Sequence, residues 1–337
     1  MAYKTQIITQ KREWEDYILK QPEANFLQSW NWGEFHKSLG HTIYRIGFFN
    51  KENLEGVMLC VVEKAKRATY LTVPGGPIID WKDKKVISLF KSEVVEIAKK
   101  DGCAFVRVRP QLVSDEFSKK LFHELGFKSA PMHLHAELTN QLDITRPDTE
   151  LLANMRKATR YEIRKAEKLG VRVMESTDPA LIKTFYDLQM DTAKRQKFIP
   201  FSFKFLDEQF KVFTKEGNAI LYSSYFEKKL LAQAFIIFYG QEAVYHYGAS
   251  APEGREYPGA YLIQWHAILE AKKRGMNRYN FWGVAPEGHR FSNLSMFKRG
   301  FGGEDFAYLH AQDLVINHPK YFINFLIEYV RRKIRKV

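Results

Sequence analysis

The segment that decides the fold reads Tyr279-Asn280-Phe281-Trp282-Gly283-Val284, followed after a Gly- and Pro-containing loop by Met296-Phe297-Lys298-Arg299-Gly300-Phe301-Gly302-Gly303. The first run is rich in aromatic residues and predicts a strand. The second places Lys298 next to apolar side chains and ends on two glycines. Because glycine lacks a Cβ, we expect backbone amides there to approach a ligand closely, with Lys298 as a charge directed at it.

A similar pattern occurs earlier in the chain. Residues 89–110 predict a helix and then a strand, and residues 262–284 repeat that order; Ala98 and Ala271 lie 173 positions apart (271 − 98). Three predicted strands precede each helix, at 42–49, 55–63 and 69–73, and again at 219–226, 230–239 and 242–248. The order predicts a duplicated α/β (α+β) unit.

Two further helices carry basic residues. The segment 149–169 predicts one helix that ends at Gly170, with Lys157, Arg160, Arg164 and Lys168 recurring on one face. This face is either solvated or a track for a phosphate backbone. The segment 319–334 predicts an amphipathic helix that ends in the basic run Arg331–Lys336, where basic residues complement the helix dipole or contact headgroups or RNA.

Composition limits the classes of function. The 337 residues suffice for two domains, and 45% hydrophobic residues exclude global disorder. The net charge of +13 suits a polyanion such as RNA, anionic lipid or phosphate, although a basic surface alone is the alternative.

Cysteine and histidine usage predicts no metal site and no disulfide. Cys60 and Cys103 lie far apart in apolar surroundings and read as reduced core residues of a cytoplasmic protein. His133 and His135 alternate on one predicted strand face but lack a third ligand. The N-terminal residues have no apolar signal core, and no stretch reaches the length of a bilayer span, so any membrane contact is expected to be peripheral, at the inner face.

An ordered set of motifs resembles the FemABX family of aminoacyl-tRNA-dependent peptidyltransferases, in its short FemX-like form without a coiled-coil arm. The motifs span most of the chain: Gln28 to Lys37, Ile163 to Val171, Thr192-Ala193-Lys194-Arg195-Gln196-Lys197-Phe198, Tyr245-His246-Tyr247-Gly248-Ala249-Ser250, and the Phe-Lys-Arg-Gly-Phe-Gly-Gly signature at 297–303.

The resemblance implies a fold of two tandem GNAT-like acyltransferase domains with a cleft between them. Residues 1–146 plus 318–337 would form domain 1, which binds the acceptor and receives the C-terminal helix. Residues 147–317 would form domain 2, on the aminoacyl-tRNA side. We place the boundary near Pro147, where polar residues interrupt the periodicity.

The resemblance also implies an activity. Family members transfer an amino acid from aminoacyl-tRNA to the stem-peptide amine of a peptidoglycan precursor, UDP-MurNAc-peptide or lipid II, and so build interpeptide bridges. Aminolysis of an ester requires a neutral amine, a positioned acyl carbon and stabilisation of an oxyanion. No cofactor is expected besides aminoacyl-tRNA as co-substrate.

Candidate site residues follow from the matched motifs. Lys298 would stabilise the oxyanion, and Arg195 would bind a diphosphate through its guanidinium fork. Lys37 is the basic candidate of the first motif, although His36 beside it leaves the match ambiguous. The remaining substrate-binding candidates are Trp32, Phe297, Tyr245 and Tyr247. The two tyrosines are two residues apart, which places them on one side of a strand. The tRNA-binding candidates are Lys157, Arg160 and Arg164.

The sequence departs from the family's motif at one position, and two alternative functions stay open. Arg109-Pro110 stands where the family often has an acidic residue before proline, so an acidic contact would have to come from elsewhere, such as Asp115. The alternatives are a GNAT-type N-acyltransferase that uses acyl-CoA, for which no clear coenzyme-A loop is seen, and a non-catalytic basic module that binds RNA or a membrane surface.

Overall fold

A computed structural model describes residues 3–196, 198–286 and 288–335. The chain forms two compact units: unit 1 comprises Met1–Glu137 and Ala307–Val337, and unit 2 comprises Leu138–Phe306. Within the described residues no helix is long and apolar enough to cross a membrane.

Unit 1 contains eight strands and five helices among its described residues. Its strands are β1 (Tyr3–Ile7), β2 (Thr42–Asn50), β3 (Asn53–Lys64), β4 (Thr69–Pro74), β5 (Ile78–Ile79), β6 (Phe105–Arg109), β7 (Lys128–Ser129) and β15 (Gln312–Val315). Its helices are α1 (Lys11–Ile18), α2 (Trp30–Ser38), α3 (Lys84–Lys100), α4 (Glu116–Glu124) and α11 (His318–Arg335).

Unit 2 contains seven strands and six helices among its described residues. Its strands are β8 (Leu138–Asp143), β9 (Arg172–Ser176), β10 (Ala219–Phe226), β11 (Lys229–Tyr239), β12 (Glu242–Ser250), β13 (Arg278–Gly283) and β14 (Glu304–Ala307). Its helices are α5 (Asp148–Asn154), α6 (Lys157–Leu169), α7 (Ile182–Gln196), α8 (Phe203–Thr214), α9 (Gly259–Lys273) and α10 (Ser292–Arg299).

The two sheets have the same topology, which explains the pseudo-repeat in the sequence. The first sheet runs β1-β2-β3-β4-β6-β15-β7, with β5 paired to β3, and the second runs β9-β10-β11-β12-β13-β8-β14. In each, an antiparallel meander is followed by a helix, α3 or α9, and by a strand that pairs in parallel with the last meander strand. The helix covers one face of its own sheet and shares its hydrophobic core. All six predicted meander strands are present.

Each half of the chain contributes one strand to the sheet of the other half. β8 follows β7 in the chain but pairs with β13, and β15 follows β14 but pairs with β6 and β7. For this reason the units change at 137/138 and 306/307, whereas the sequence analysis placed the domain boundaries at 146/147 and 317/318. Pro147 therefore lies inside unit 2, at the cap that precedes α5.

Two local predictions were wrong. The single helix predicted over 149–169 is interrupted, because Met155 and Arg156 have extended backbone between α5 and α6. His133 and His135 lie in a loop before β8 and share no strand face. The prediction for the cysteines is confirmed, since Cys60 and Cys103 are both buried and free.

Candidate active site

Lys298 is buried in unit 2 rather than displayed on its surface. The residue lies in α10, and its Nζ donates a hydrogen bond of 2.7 Å to the carbonyl oxygen of Gly283, at the end of β13. The ammonium group also lies 5.4 Å from the ring centroid of Tyr245. Burial lowers the pKa of Lys298 from its usual value to about 7. The amine can therefore exchange a proton near neutral pH, as catalytic lysines do.

Three side chains on one face of α10 hold the loop after β13. Besides Lys298, the Ser295 Oγ accepts a hydrogen bond of 2.7 Å from the Ala285 amide, and the Arg299 guanidinium donates one of 3.0 Å to the Ala285 carbonyl. Residues three and four apart share a helix face, so the spacing of Ser295, Lys298 and Arg299 was a signal that the sequence analysis missed. The contacts tie α10 to the backbone at Gly283 and at Ala285.

Trp282, which the sequence analysis did not select, has a strained backbone beside this contact. Its φ of 60° lies in the left-handed region that bulky residues avoid. Its amide donates a 2.8 Å hydrogen bond to the side chain of Asn280, which helps to hold the turn. Strain of this kind is often found at functional sites, and here it directly precedes Gly283.

Gly303 has a structural reason to be glycine, and the approach of a ligand to the glycine pair stays a prediction. Its φ is +81°, and an added Cβ would lie 2.4 Å from the carbonyl oxygen of Gln141 in β8. The residue immediately precedes β14, which pairs with β8. A side chain at this position would therefore push the two strands apart.

Tyr245 and Tyr247 point to opposite faces of the second sheet, so the prediction that they share one face was wrong. The register of β11 and β12 shifts between Phe235 and Ile236, which inserts an extra residue into β12 and breaks the alternation. Tyr245 packs on the core that contains Ile236, beneath Lys298. Tyr247 packs against Phe235, with ring centroids 5.8 Å apart.

Tyr245 and Phe297 form the apolar surroundings of Lys298. The Tyr245 hydroxyl occupies the space where a Cβ on Gly248 would lie, and burial raises its pKa to about 12, so the phenol is neutral. Phe297 is partly buried and packs edge-on against Tyr261 and Phe301, at 4.8 and 5.4 Å. Phe297 is therefore part of the core next to Lys298, and its role as a pocket wall stays a prediction.

Arg195 lies exposed at the C-terminal end of α7. Its guanidinium donates to the carbonyl of Ser250 and, at 3.2 Å, to the hydroxyl of Thr192. These contacts join the end of α7 to the end of β12. Diphosphate binding by Arg195 stays a prediction.

The candidates of unit 1 lie on α2 in different environments. Trp32 is 2% exposed and packs against Phe26 and His36, with ring centroids 5.5 and 5.2 Å apart, so it is a core residue. Lys37 is exposed and forms a 3.0 Å ion pair with Glu34. Lys37 remains accessible to an anion, whereas Trp32 could contact a ligand only after the core had rearranged.

The basic face of α6 is divided between structure and surface. The Arg160 guanidinium donates to the carbonyls of Leu152, Ala153 and Met155 and so caps the C-terminal end of α5. Lys157 and Arg164 are exposed. One guanidinium nitrogen of Arg160 is therefore engaged at the helix junction, and tRNA binding by Lys157, Arg160 and Arg164 stays a prediction.

Asp115 and Arg109 are the two residues of unit 1 that the sequence analysis linked to the missing acidic contact. Asp115 is exposed and is the N-cap of α4, where its carboxylate accepts a 2.8 Å hydrogen bond from the Ser118 amide, and its contact with the acceptor stays a prediction. Arg109 is 1% exposed and donates to Gln111 at 2.8 Å. The family's acidic position is thus occupied here by a buried cation.

In the part of the chain that the structure describes, His36, His41 and Glu63 are close enough to share a metal ion. The two histidines face each other through their Nδ1 atoms at 2.8 Å, a hydrogen-bond distance. Burial and the neighbouring His41 lower the pKa of His36 to about 3, which keeps its ring neutral. The neutral ring of His36 therefore shares a hydrogen bond with the ring of His41.

A surface pocket of about 620 Å³ lies within unit 2, near Gly303 and Arg146. The candidate side chains of the sequence analysis do not line it, whereas Gly303 of the glycine pair does. Of its two arginines, Arg146 pairs with Glu150 at 2.8 Å and Asp143 at 3.6 Å, and Arg278 pairs with Glu242 at 2.7 Å. Lys298 and its contacts Gly283 and Tyr245 do not line the pocket.

Comparisons with solved structures confirm the predicted fold. A crystal structure of FemX superposes with a TM-score of 0.85 at 20% identity, covering 96% of this chain and 100% of that one. A tandem GNAT protein from the clavulanic acid biosynthesis pathway superposes with a TM-score of 0.60 at 10% identity, covering 93% of this chain and 98% of that one. The α/β architecture of two tandem GNAT-like units is therefore shown.

Sequence comparisons agree with the structural ones. The lipid II:glycine glycyltransferase of Staphylococcus aureus (strain MRSA252) is 21% identical over 405 residues, covering 96% of this chain and 95% of that protein. The FemAB family matches residues 9–131, 131–221 and 207–328, nearly the whole chain. This protein therefore belongs to the FemAB family.

Proposed function

We propose that this protein is an acyl-transferring enzyme that moves an amino acid from aminoacyl-tRNA to the stem-peptide amine of a peptidoglycan precursor, and so builds interpeptide bridges. The family match over nearly the whole chain and the relative named as a lipid II:glycine glycyltransferase support transfer to a peptidoglycan precursor. The identity of the donor, aminoacyl-tRNA, is the more specific part of the proposal. It accords with the net charge of +13 and the exposed Lys157 and Arg164.

The observation that carries the chemistry is the buried Lys298. When its amine is protonated it is a cation in a water-poor environment, where a charge stabilises a developing oxyanion more strongly than it would in water. The Gly283 carbonyl holds Nζ in one place before the reaction, so little reorganisation is needed. In this proposal Lys298 stabilises the oxyanion formed when the acceptor amine attacks the ester.

The remaining candidates have binding roles in the proposal. Arg195 and Lys37 are each proposed to bind an anionic group of a substrate in their own unit, and Phe297 and Tyr245 supply the apolar surroundings of Lys298. The enzyme works in the cytoplasm, at or near the inner face of the membrane when its acceptor is lipid-linked. Its donor is charged tRNA, and no further cofactor takes part.

The test is a transfer assay with purified protein, charged tRNA carrying a radiolabelled amino acid, and either UDP-linked muropeptide or lipid II as acceptor. We expect transfer by the wild type, and a loss of about 10²-fold in turnover for both Lys298→Ala and Lys298→Met, the size expected for one oxyanion donor. Lys183→Ala, which removes an exposed lysine of the same unit, is the control.

Thermal unfolding by circular dichroism separates a folding defect from a catalytic one. Lys298→Met keeps most of the side-chain volume, so it is expected to fold. Unchanged turnover in a folded Lys298→Met variant would refute the role of Lys298. Transfer from acyl-CoA but not from charged tRNA would refute the proposed donor.

A further inference from the structure

Helix α11 carries its apolar side chains on the outside. Phe322, Ile323, Leu326, Tyr329, Val330 and Ile334 are between 42% and 75% exposed. At 100° per residue they fall within one arc, so they form a continuous stripe over four turns. We call this stripe the outer face of α11. An apolar surface of this extent on a monomer usually marks a contact with a partner or a membrane.

The opposite face of α11 is held in unit 1 by polar contacts. Glu328 is 6% exposed and accepts a 2.8 Å hydrogen bond from Arg107, and the Tyr321 hydroxyl donates one of 3.1 Å to Asp313. Asn324 is 1% exposed on the same side. The helix therefore cannot rotate to bury its apolar stripe without exposing this network, so the outer face is a fixed feature of the fold.

The charged residues of α11 define the chemistry of its partner. Glu328 is the one acidic residue of the helix, and it is buried against Arg107. Lys320, Arg331 and Arg332 are exposed, and the sequence adds Lys333, Arg335 and Lys336. Among the charged side chains of α11 that the structure describes, the exposed ones are therefore all positive. An apolar stripe flanked by basic residues complements an anionic lipid surface.

We infer that the outer face of α11 lies in the plane of an anionic bilayer, with its apolar side chains among the acyl chains and its basic end on lipid phosphates. This helix does not qualify as a span, which fits an in-plane position. A ribose–phosphate backbone would use the basic residues but would leave the apolar stripe without a partner. Membrane binding by α11 is argued independently of the proposed function. Only the role that we assign to it, bringing the enzyme to a lipid-linked acceptor, rests on that function.

Vesicle sedimentation of the full chain tests the inference. The probes are vesicles of phosphatidylcholine with phosphatidylglycerol, and vesicles of phosphatidylcholine alone. We expect the wild type to bind the anionic vesicles, and the double variant Phe322→Ser/Leu326→Ser to bind about tenfold or more weakly, because two apolar side chains no longer enter the lipid. Phe117→Ser, which removes a 52% exposed phenylalanine from α4 of the same unit, should bind like the wild type.

A charge-reversal variant tests the contribution of the basic residues of α11 to vesicle binding. Arg331→Glu reverses one exposed charge at the basic end of α11 and should weaken binding to anionic vesicles by more than about fivefold, since each basic residue near such a surface contributes about 1 kcal/mol. Lys119→Glu on α4 is the matched control and should have no effect. Sodium chloride should weaken wild-type binding and reduce the difference between the two charge variants.

The outcomes separate this inference from the proposed function. Vesicle binding by the outer-face variants at the wild-type level would overturn it. Sedimentation velocity that finds the wild type to be a dimer and the double variant a monomer would also overturn it, because a second copy of the chain would then cover the outer face. In transfer assays the double variant should lose activity with lipid II in vesicles and keep it with UDP-linked muropeptide. A wild type that transfers to neither acceptor would refute the proposed function and leave the vesicle result standing.

Discussion

At the scale of single residues, the environment of Lys298 determines what its amine can do. A lysine on a surface is a permanent cation, whereas burial lowers the pKa of this one to about 7. Its charge therefore depends on pH in the range where enzymes of this kind work. This dependence distinguishes a lysine that stabilises an oxyanion from one that removes a proton.

A pH profile tests that distinction. The cationic form exists below pH 7 and is lost as the pH rises through the pKa, so the stabilisation of the oxyanion should decline in that direction. In Lys298→Arg the guanidinium stays charged throughout. We expect the ratio of kcat/KM for the wild type to that for Lys298→Arg to fall across pH 7. A ratio that rises instead would assign Lys298 as a base. The ratio also cancels the titration of the acceptor amine, which both proteins share.

At the scale of elements, the junction of α5 and α6 gives the basic residues of one helix different environments. Arg160 caps three carbonyls at the end of α5, while Lys157 and Arg164 remain at the surface. Helical spacing alone places all three on one face. The break at Met155 and Arg156 is what directs Arg160 toward the preceding helix.

Substitutions on α6 should separate these roles. Arg160→Met is expected to lower the midpoint of thermal unfolding, because the carbonyls that it caps lose their donor. Lys157→Met and Arg164→Met should leave the midpoint within about 1 °C and weaken binding of charged tRNA, with a smaller dependence of affinity on salt. Filter binding over a salt series measures the second effect. A stable Arg160→Met variant with weakened tRNA binding would reverse our assignment.

The contact of β14 with β8 is a second feature at this scale. Gly303→Ala places a Cβ against the Gln141 carbonyl in addition to the unfavourable positive φ, whereas Gly170→Ala at the end of α6 has the same φ and open space. Gly170→Ala should cost about 1 kcal/mol of the free energy of unfolding, as expected for the φ alone. Gly303→Ala should lower the free energy of unfolding in urea clearly more than Gly170→Ala does. Equal losses for the two variants would show that β14 and β8 adjust to the added Cβ at little cost.

At the scale of the whole molecule, the exchange of β8 and β15 makes each half of the chain incomplete. Buried Arg107 in β6 pairs with Asp313 of β15 at 2.7 Å and with Glu328 of α11 at 2.8 Å. A fragment that ends at 146 lacks both carboxylates. Breaking a buried ion pair by removing one side costs about 3–5 kcal/mol.

Fragments should therefore behave differently according to where they are cut. Residues 1–146 alone are expected to lack cooperative unfolding by circular dichroism. Residues 1–137 joined by a short Gly-Ser linker to 307–337 should unfold cooperatively, because the Tyr308 amide already donates to the Glu137 carbonyl at 2.7 Å and the ends to be joined are adjacent. Cooperative unfolding of 1–146 would show that β15 is dispensable for unit 1.

The sequence by itself determined the duplicated order of strands and helices, because alternating and helical apolar patterns are local and each meander forms from neighbouring segments. It also singled out Lys298 and the family signature around it. Only the tertiary structure decided which sheet receives β8 and β15, since a short strand carries no local sign of a distant partner. It likewise decided that Lys298 is buried against Tyr245, which is distant in the chain, and that a register shift between two strands separates Tyr245 from Tyr247. The contact of Arg160 with carbonyls five to eight residues earlier follows from the break between α5 and α6, which the apolar pattern of the sequence did not show.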